Sequence, residues 1–141
     1  MTKSVDRVCD INNFVGIPHY FGESSFDKCD CLGLCRLFYR EHGYKEHIDD
    51  GMPITEGKSF GAWRRLYTYL LTHMDRVSHE TLQYGDLVVF QIEGEVHLGI
   101  YLSYGKLLAM QIPVKFGKTT STIYHRDWWS RYFKYAFRRR G

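Results

Sequence analysis

The apolar pattern of the chain changes from helical spacing to strand alternation at Tyr84-Gly85-Asp86, and this change restricts the fold more than any other feature. Before it, residues 58–75 predict an amphipathic helix. The apolar stripe of that helix consists of Phe60, Trp63, Leu66, Tyr67, Leu70 and Leu71. An earlier helix is predicted to begin after Asp30, a favourable N-cap residue, and to end at His42-Gly43.

Three strands are predicted after the change. Residues 86–92 and 95–102 have strand patterns on either side of Glu93-Gly94, which is a signal for a two-residue hairpin. Residues 106–113 predict a third strand, which is joined to the second through Ser103-Tyr104-Gly105. Helices followed by antiparallel strands indicate an α+β fold, with N-terminal helices packed on a β-meander or small open barrel.

Weaker patterns cover the rest of the chain. They predict a short helix over 4–17, loops over 16–30 and 44–57, a short helix over 125–131 and a strand over 132–138. A length of 141 residues is that of one ordinary domain, so we predict a single domain over 1–141, in which 113–141 is the least clearly patterned segment.

Charge and hydropathy exclude several classes of protein. The formal net charge is only +3, so no nucleic-acid partner is expected, and the run Arg138-Arg139-Arg140 is interpreted as a solvated tail. No window reaches the apolar length of a membrane span, and residues 1–14 do not resemble a signal peptide. We therefore expect synthesis in a cytoplasm, with reduced thiols, unless the chain is exported as cargo of a larger assembly.

The cysteines of the stretch FDKCDCLGLC allow three interpretations. A zinc site is disfavoured, because the spacing C-x-C-x₃-C lacks the second ligand pair of structural zinc sites. A nucleophile is favoured at Cys31, since the first turn of a helix offers unpaired N–H groups and a positive dipole, which stabilise a thiolate. Gly33, which has no side chain, would leave room beside the thiol for a substrate to approach. Cys29 and Cys35 are interpreted as core residues.

A cysteine nucleophile requires a base, and His97 is the best-placed histidine. It shares one strand face with Gly99, whose missing side chain would leave open space beside the imidazole. The orienting acceptor depends on strand register. A three-residue loop would place Gln111 opposite His97, a five-residue loop would place Ala109 there, and a two-residue loop Ile112. We favour the three-residue loop, because Gln111 supplies a polar partner.

These residues resemble the NlpC-type cell-wall peptidases, which are papain-like cysteine enzymes, and in particular the stand-alone versions encoded in bacteriophage tail modules. The resemblance rests on three stretches, in this order: VGIPHYFG, DCLGLCRLFYREHG and GDLVVFQIEGEVHLGIYL. Their order and spacing fit the family from about residue 10 to residue 113. The element D-C-x-G-L, followed at this separation by G-D-L and H-L-G-I-Y, is fairly specific.

The resemblance implies a cysteine endopeptidase that cleaves the stem peptides of peptidoglycan without a metal or cofactor. Carried over by position, Cys31 is the nucleophile and His97 the general base. The family's third polar residue falls at Ala109, so Gln111 would substitute for it. His19 stands where the family favours tyrosine, and it would contribute to an oxyanion or substrate site together with Asp30 and Gly33.

The same resemblance implies a setting and two rival functions. The protein would be synthesised in the host cytoplasm and carried in the virion at the phage tail tip, in contact with other tail-tip proteins. It would act on the host's periplasmic cell wall during genome delivery. The main alternative is a catalytically weak or inactive structural component of the tail tip with the same fold. A second is an amidase or acyltransferase.

Overall fold

The computed structural model describes residues 10–20, 22–44, 60–112 and 118–140. Its three α-helices are α1 (Cys31–Glu41), α2 (Phe60–His73) and α3 (Arg126–Trp129). The predicted helices at 31–42 and 58–75 are therefore confirmed to within two residues at each end. The described part of the helix predicted at 4–17 contains only a 3₁₀ turn, Ile11–Phe14, and most of the loop predicted at 44–57 lies outside the described residues.

The strands form one antiparallel sheet. They are β1 (Met74–Val77), β2 (Leu87–Ile92), β3 (Glu95–Tyr101), β4 (Leu107–Met110), β5 (Ser121–Tyr124) and β6 (Phe133–Arg139). Their order across the sheet is β1-β6-β2-β3-β4-β5, so the predicted meander β2-β3-β4 is its centre. The α+β prediction is confirmed, while β1 and β5 were not predicted.

Two hairpins fix the register around the candidate site. The β2–β3 turn is Glu93-Gly94, and both residues have positive φ, as a tight two-residue turn requires. On the other side of β3, Gly99 pairs with Ala109, and the Leu102 N–H donates to the Lys106 carbonyl, which leaves a three-residue loop. The predicted three-residue loop is therefore confirmed, and extending this register places residue 111 opposite residue 97.

The two faces of the sheet carry separate apolar clusters. One face packs against α1 and includes Leu98, Ile100 and Leu108. The other surrounds Trp129, whose indole N–H donates to the Gly105 carbonyl at 2.9 Å. Because α1 is held against β3 by the first cluster, the start of the helix is fixed relative to that strand.

The arginine run at 138–140 is not a solvated tail. Arg138, in β6, makes two hydrogen bonds at 2.9 and 2.8 Å to the carboxylate of Asp86, which is buried. The guanidinium of Arg139 lies 3.4 Å from the ring centre of Tyr44, and Arg140 pairs with Asp75 at 2.9 Å. The run was misinterpreted because its partners lie at least 50 residues away in sequence.

Candidate active site

Asp30 organises the start of α1. Its Oδ1 accepts the Gly33 N–H at 2.6 Å, which confirms the predicted N-cap, and its Oδ2 accepts the Gly22 N–H at 2.7 Å. Both carboxylate oxygens are thus used by the backbone of the helix and of the preceding loop. Asp30 therefore fixes the start of the helix and attaches the preceding loop to it, while its predicted contribution to a substrate site stays a prediction.

Cys31 is the first residue of α1; the residue as a whole is partly exposed, although its sulfur is enclosed. Burial of the thiol raises its pKa to about 12, and the Asp30 carboxylate acts in the same direction. The N–H groups of Leu98 and Leu32 hydrogen-bond to the sulfur and lower the pKa, but by less than burial raises it. The unbound protein therefore holds a neutral thiol, which differs from the thiolate expected from the helix dipole alone.

His97 lies in β3 and is 7 % exposed. Its ring packs against Phe90, with 5.5 Å between the ring centres. Burial lowers the pKa of the imidazole, and the negative charge of Glu95 partly offsets this effect. A neutral imidazole near pH 7 has a lone pair that can accept a proton, as a general base must.

The Cys31 thiol contacts the backbone of β3 next to His97. The Leu98 N–H that contacts the Cys31 sulfur belongs to the residue directly after His97. Among the described residues no hydrogen bond joins the sulfur to the imidazole, which is common for catalytic pairs in unbound proteins. The structure thus places the sulfur against the backbone directly after the residue that the sequence proposed as base, while the pairing of the two side chains stays a prediction.

Gln111 and Gly99 do not have their predicted surroundings. The side-chain oxygen of Gln111 accepts hydrogen bonds from Thr120, at 3.1 Å from N and 3.4 Å from Oγ1, and the residue is exposed. Gln111 therefore binds the neighbouring chain segment and not the imidazole. A Cβ at Gly99 would lie 2.9 Å from the side chain of Leu107, so this glycine serves the contact between β3 and β4, not an open space.

Gly33 is likewise not open to a substrate. A Cβ at this position would lie 1.8 Å from the carbonyl oxygen of Glu23. The loop before α1 passes directly over the helix at Gly33, held there by the Asp30 N–H, which donates to the same carbonyl at 3.2 Å. The predicted role of Gly33 beside the substrate is therefore wrong: its small size serves the contact between loop and helix.

Gly33→Ala is expected to lower the free energy of unfolding by about 2 kcal/mol, because the loop must move to admit the methyl group. Helix propensity alone predicts the opposite sign, a gain of about 1 kcal/mol. Chemical denaturation measures the difference. Thr68→Ala, at an exposed position of α2, is the control and should change stability by less than about 0.5 kcal/mol. A stabilised Gly33→Ala protein would contradict the close contact.

His19 is buried near the start of α1. The backbone N–H of His19 donates to the Thr119 carbonyl at 2.9 Å, and the residue forms an isolated β-bridge with Cys29. Burial lowers the pKa of its imidazole, while attraction to the Asp30 carboxylate acts against this effect. His19 thus lies on the same side of the site as Asp30, which is compatible with the predicted contribution to an oxyanion site.

The two other cysteines within the described residues, Cys29 and Cys35, are enclosed. Burial raises the pKa of Cys29 to about 12 and that of Cys35 well above its usual value, so neither is a reactive thiolate near neutral pH. Within the described residues, no group of three His, Cys, Asp or Glu side chains is arranged to hold a metal ion.

One residue near the site was not singled out from the sequence. Glu95 is the first residue of β3, and its Oε1 lies 3.7 Å from Nε2 of His97. The two residues are separated by one position and therefore share a strand face. That spacing was visible in the sequence and could have drawn attention to Glu95.

The sequence matches the NlpC/P60 family over residues 16–137. The chain belongs to the NlpC/P60 family. Members of this family are typically peptidoglycan hydrolases that act as cysteine peptidases or amidases. No curated protein sequence matches the chain significantly. None of the helices in the described residues combines the length and apolar character that crossing a membrane requires.

Solved structures of the family share the fold. The NlpC/p60 domain of the peptidoglycan hydrolase SagA superimposes with a TM-score of 0.57 at 16 % identity, and the match covers 97 % of each chain. A Staphylococcus aureus protein described as similar to a lipoprotein of the NLP/P60 family gives 0.60 at 18 % identity. An NlpC/P60 family protein from Bacillus cereus gives 0.58 at 23 % identity.

The last two matches cover 100 % and 99 % of this chain but only 43 % and 41 % of theirs, so the chain spans less than half the length of those proteins. At these identities the similarity concerns the fold alone. The papain-like α+β fold expected from the resemblance is confirmed.

Proposed function

We propose that this chain is a cysteine endopeptidase that hydrolyses the stem peptides of peptidoglycan. The observation that carries the proposal is the contact of the Cys31 sulfur with the Leu98 N–H, which holds the thiol at the strand backbone directly after the buried His97, whose pKa is lowered. The family supplies the class of substrate, since its members typically hydrolyse peptidoglycan.

The reaction begins from neutral partners. When a stem peptide excludes water from the site, His97 removes the Cys31 proton as the sulfur attacks the scissile carbonyl. The Cys31 N–H at the helix start and the buried His19 stabilise the resulting oxyanion. The imidazolium then protonates the leaving amine as the C–N bond breaks, and water hydrolyses the thioester, which releases the new carboxylate and restores the thiol.

We further propose that the enzyme is carried at the tail tip of a bacteriophage and opens the host wall locally during genome delivery. This setting is supported by the resemblance of the D-C-x-G-L, G-D-L and H-L-G-I-Y elements to the versions found in phage tail modules. Its partners would be other tail-tip proteins and the stem peptides of the periplasmic wall.

Incubation of the purified protein with peptidoglycan sacculi tests the activity. We expect soluble fragments with new amino and carboxyl termini within the stem peptides and no new reducing sugar ends, as read by mass spectrometry. Cleavage between the glycan and the first stem residue would instead identify an amidase. If no fragment appears, the structural alternative is favoured, for which the apolar Ala109 at the family's third polar position is the specific support.

A further inference from the structure

The imidazole of His97 has one nitrogen for which the described residues provide no hydrogen-bond partner. Its Nε2 is fully buried and accepts or donates no hydrogen bond there. Most buried polar atoms are satisfied, so an unsatisfied one at a candidate catalytic residue requires an explanation. A general base also requires an orienting partner, because the second nitrogen must hold its proton while the first accepts one.

The two positions that would supply this partner, one in β4 and one directly after it, do not do so. Ala109 is buried within the cluster around Trp129 and has no polar side-chain atom. The side-chain oxygen of Gln111 is bound to the N–H and hydroxyl of Thr120. If His97 has an orienting acceptor, that acceptor must come from another part of the sheet.

Glu95 is placed to be that acceptor. Its Oε1 lies 3.7 Å from the unsatisfied Nε2, the carboxylate faces the same side of β3, and the side chain of Glu95 is 41 % exposed. The tight Glu93-Gly94 turn and the pairing of Glu95 with Ile92 fix where this side chain begins. On the adjacent strand, the Phe90 ring packs against the imidazole and limits its rotation.

We propose that Glu95 is the positioning residue of His97, and that it replaces from the same strand the polar residue that β4 lacks. Its carboxylate accepts the Nε2 proton once the two atoms approach by about 0.8 Å to hydrogen-bond distance. That leaves the Nδ1 lone pair to accept the Cys31 proton, and the carboxylate then stabilises the imidazolium. The catalytic part of this proposal rests on the proposed function, but the geometric part does not.

Nitrogen NMR of His97 tests the geometric part without any substrate. In the wild-type protein we expect the neutral ring to carry its proton on Nε2. Glu95→Gln should lower the pKa of His97 further, because an attractive negative charge is removed, and should reduce the fraction of the Nε2–H form. The matched control is Glu93→Gln, which removes the same charge two residues earlier, from an exposed turn position.

Kinetics on stem peptides test the catalytic part. Glu95→Ala should lower kcat by at least about tenfold and leave KM nearly unchanged, because the residue acts through His97 and not on the substrate. Glu95→Asp, which keeps the charge, should recover part of the loss. The positioning role is overturned if Glu95→Gln and Glu93→Gln change the His97 titration equally. An inactive wild-type protein whose titration still responds selectively to Glu95→Gln would refute the proposed function but keep the His97–Glu95 pair.

Discussion

Cys31→Ala is expected to lower the release of stem-peptide fragments from sacculi by about 10³-fold or more, since the Cys31 sulfur is the proposed nucleophile that forms the thioester. Cys29 and Cys35 are enclosed, and burial raises the pKa of both thiols. The small size and partial exposure of Cys31 mean that the substitution should leave the fold intact, which circular dichroism and thermal unfolding can verify. The rate is best measured by chromatography of the soluble fragments over time.

Cys35→Ala is the matched control, because this cysteine lies one turn further along α1 and belongs to the core. It should lower stability moderately while the specific activity of the folded protein is retained. Equal losses in the two variants would show that activity depends on the integrity of α1 and not on the Cys31 sulfur. Retained activity in Cys31→Ala would contradict the nucleophile assignment outright.

Asp86→Asn is expected to lower the free energy of unfolding by about 3 kcal/mol, the largest stability effect that we expect of a single polar substitution in this chain. The buried carboxylate accepts two hydrogen bonds from Arg138 and one from the Gln83 N–H at 2.8 Å. Removing its charge leaves the guanidinium against a neutral amide, and one bond to Arg138 must be lost because an NH₂ group donates. Denaturant unfolding measures the loss.

The control for Asp86 is Asp75→Asn. Asp75 also pairs with an arginine of the same run, but the side chains of Asp75 and Arg140 are 63 % and 53 % exposed. Water and salt screen such a pair, so its loss should cost less than about 0.5 kcal/mol. If both substitutions have the same small effect, Arg138 does not attach β6 to the rest of the sheet through Asp86.

The parts of this fold that the sequence predicts are those determined by neighbours in the chain. Asp30 caps α1 by a hydrogen bond to the first turn of that helix. The turns Glu93-Gly94 and Ser103-Tyr104-Gly105 determine the strand register through their own backbone angles. The position of β6 between β1 and β2 depends instead on contacts across about 60 residues, such as Val77 with Ala136. No local pattern specifies such a pairing, and for the same reason the arginine run was misread.

The candidate site divides in the same way. Cys31 and His97 stand in local motifs, and the structure brings the Cys31 sulfur to the backbone N–H of the residue after His97, while the chemical roles of both residues stay predictions. The interpretations of Gly33 and Gly99 were wrong because the atoms that fill the space beside them belong to Glu23 and Leu107, which the local pattern does not reveal. Glu95 lies on the same strand as His97, whereas the motif predicts the orienting residue on the next strand.

The placement of β6 also has a kinetic consequence. The connections between the consecutive strands β2 to β5 are shorter than the stretch of chain between β1 and β6. Strands β2 to β5 can therefore pair with one another before β6 pairs with β1. Until β6 inserts, the apolar strand Leu87–Ile92 is an unprotected edge that can pair with another chain. Refolding should therefore be slow and become less efficient as protein concentration rises, with aggregation competing against the docking of a single strand.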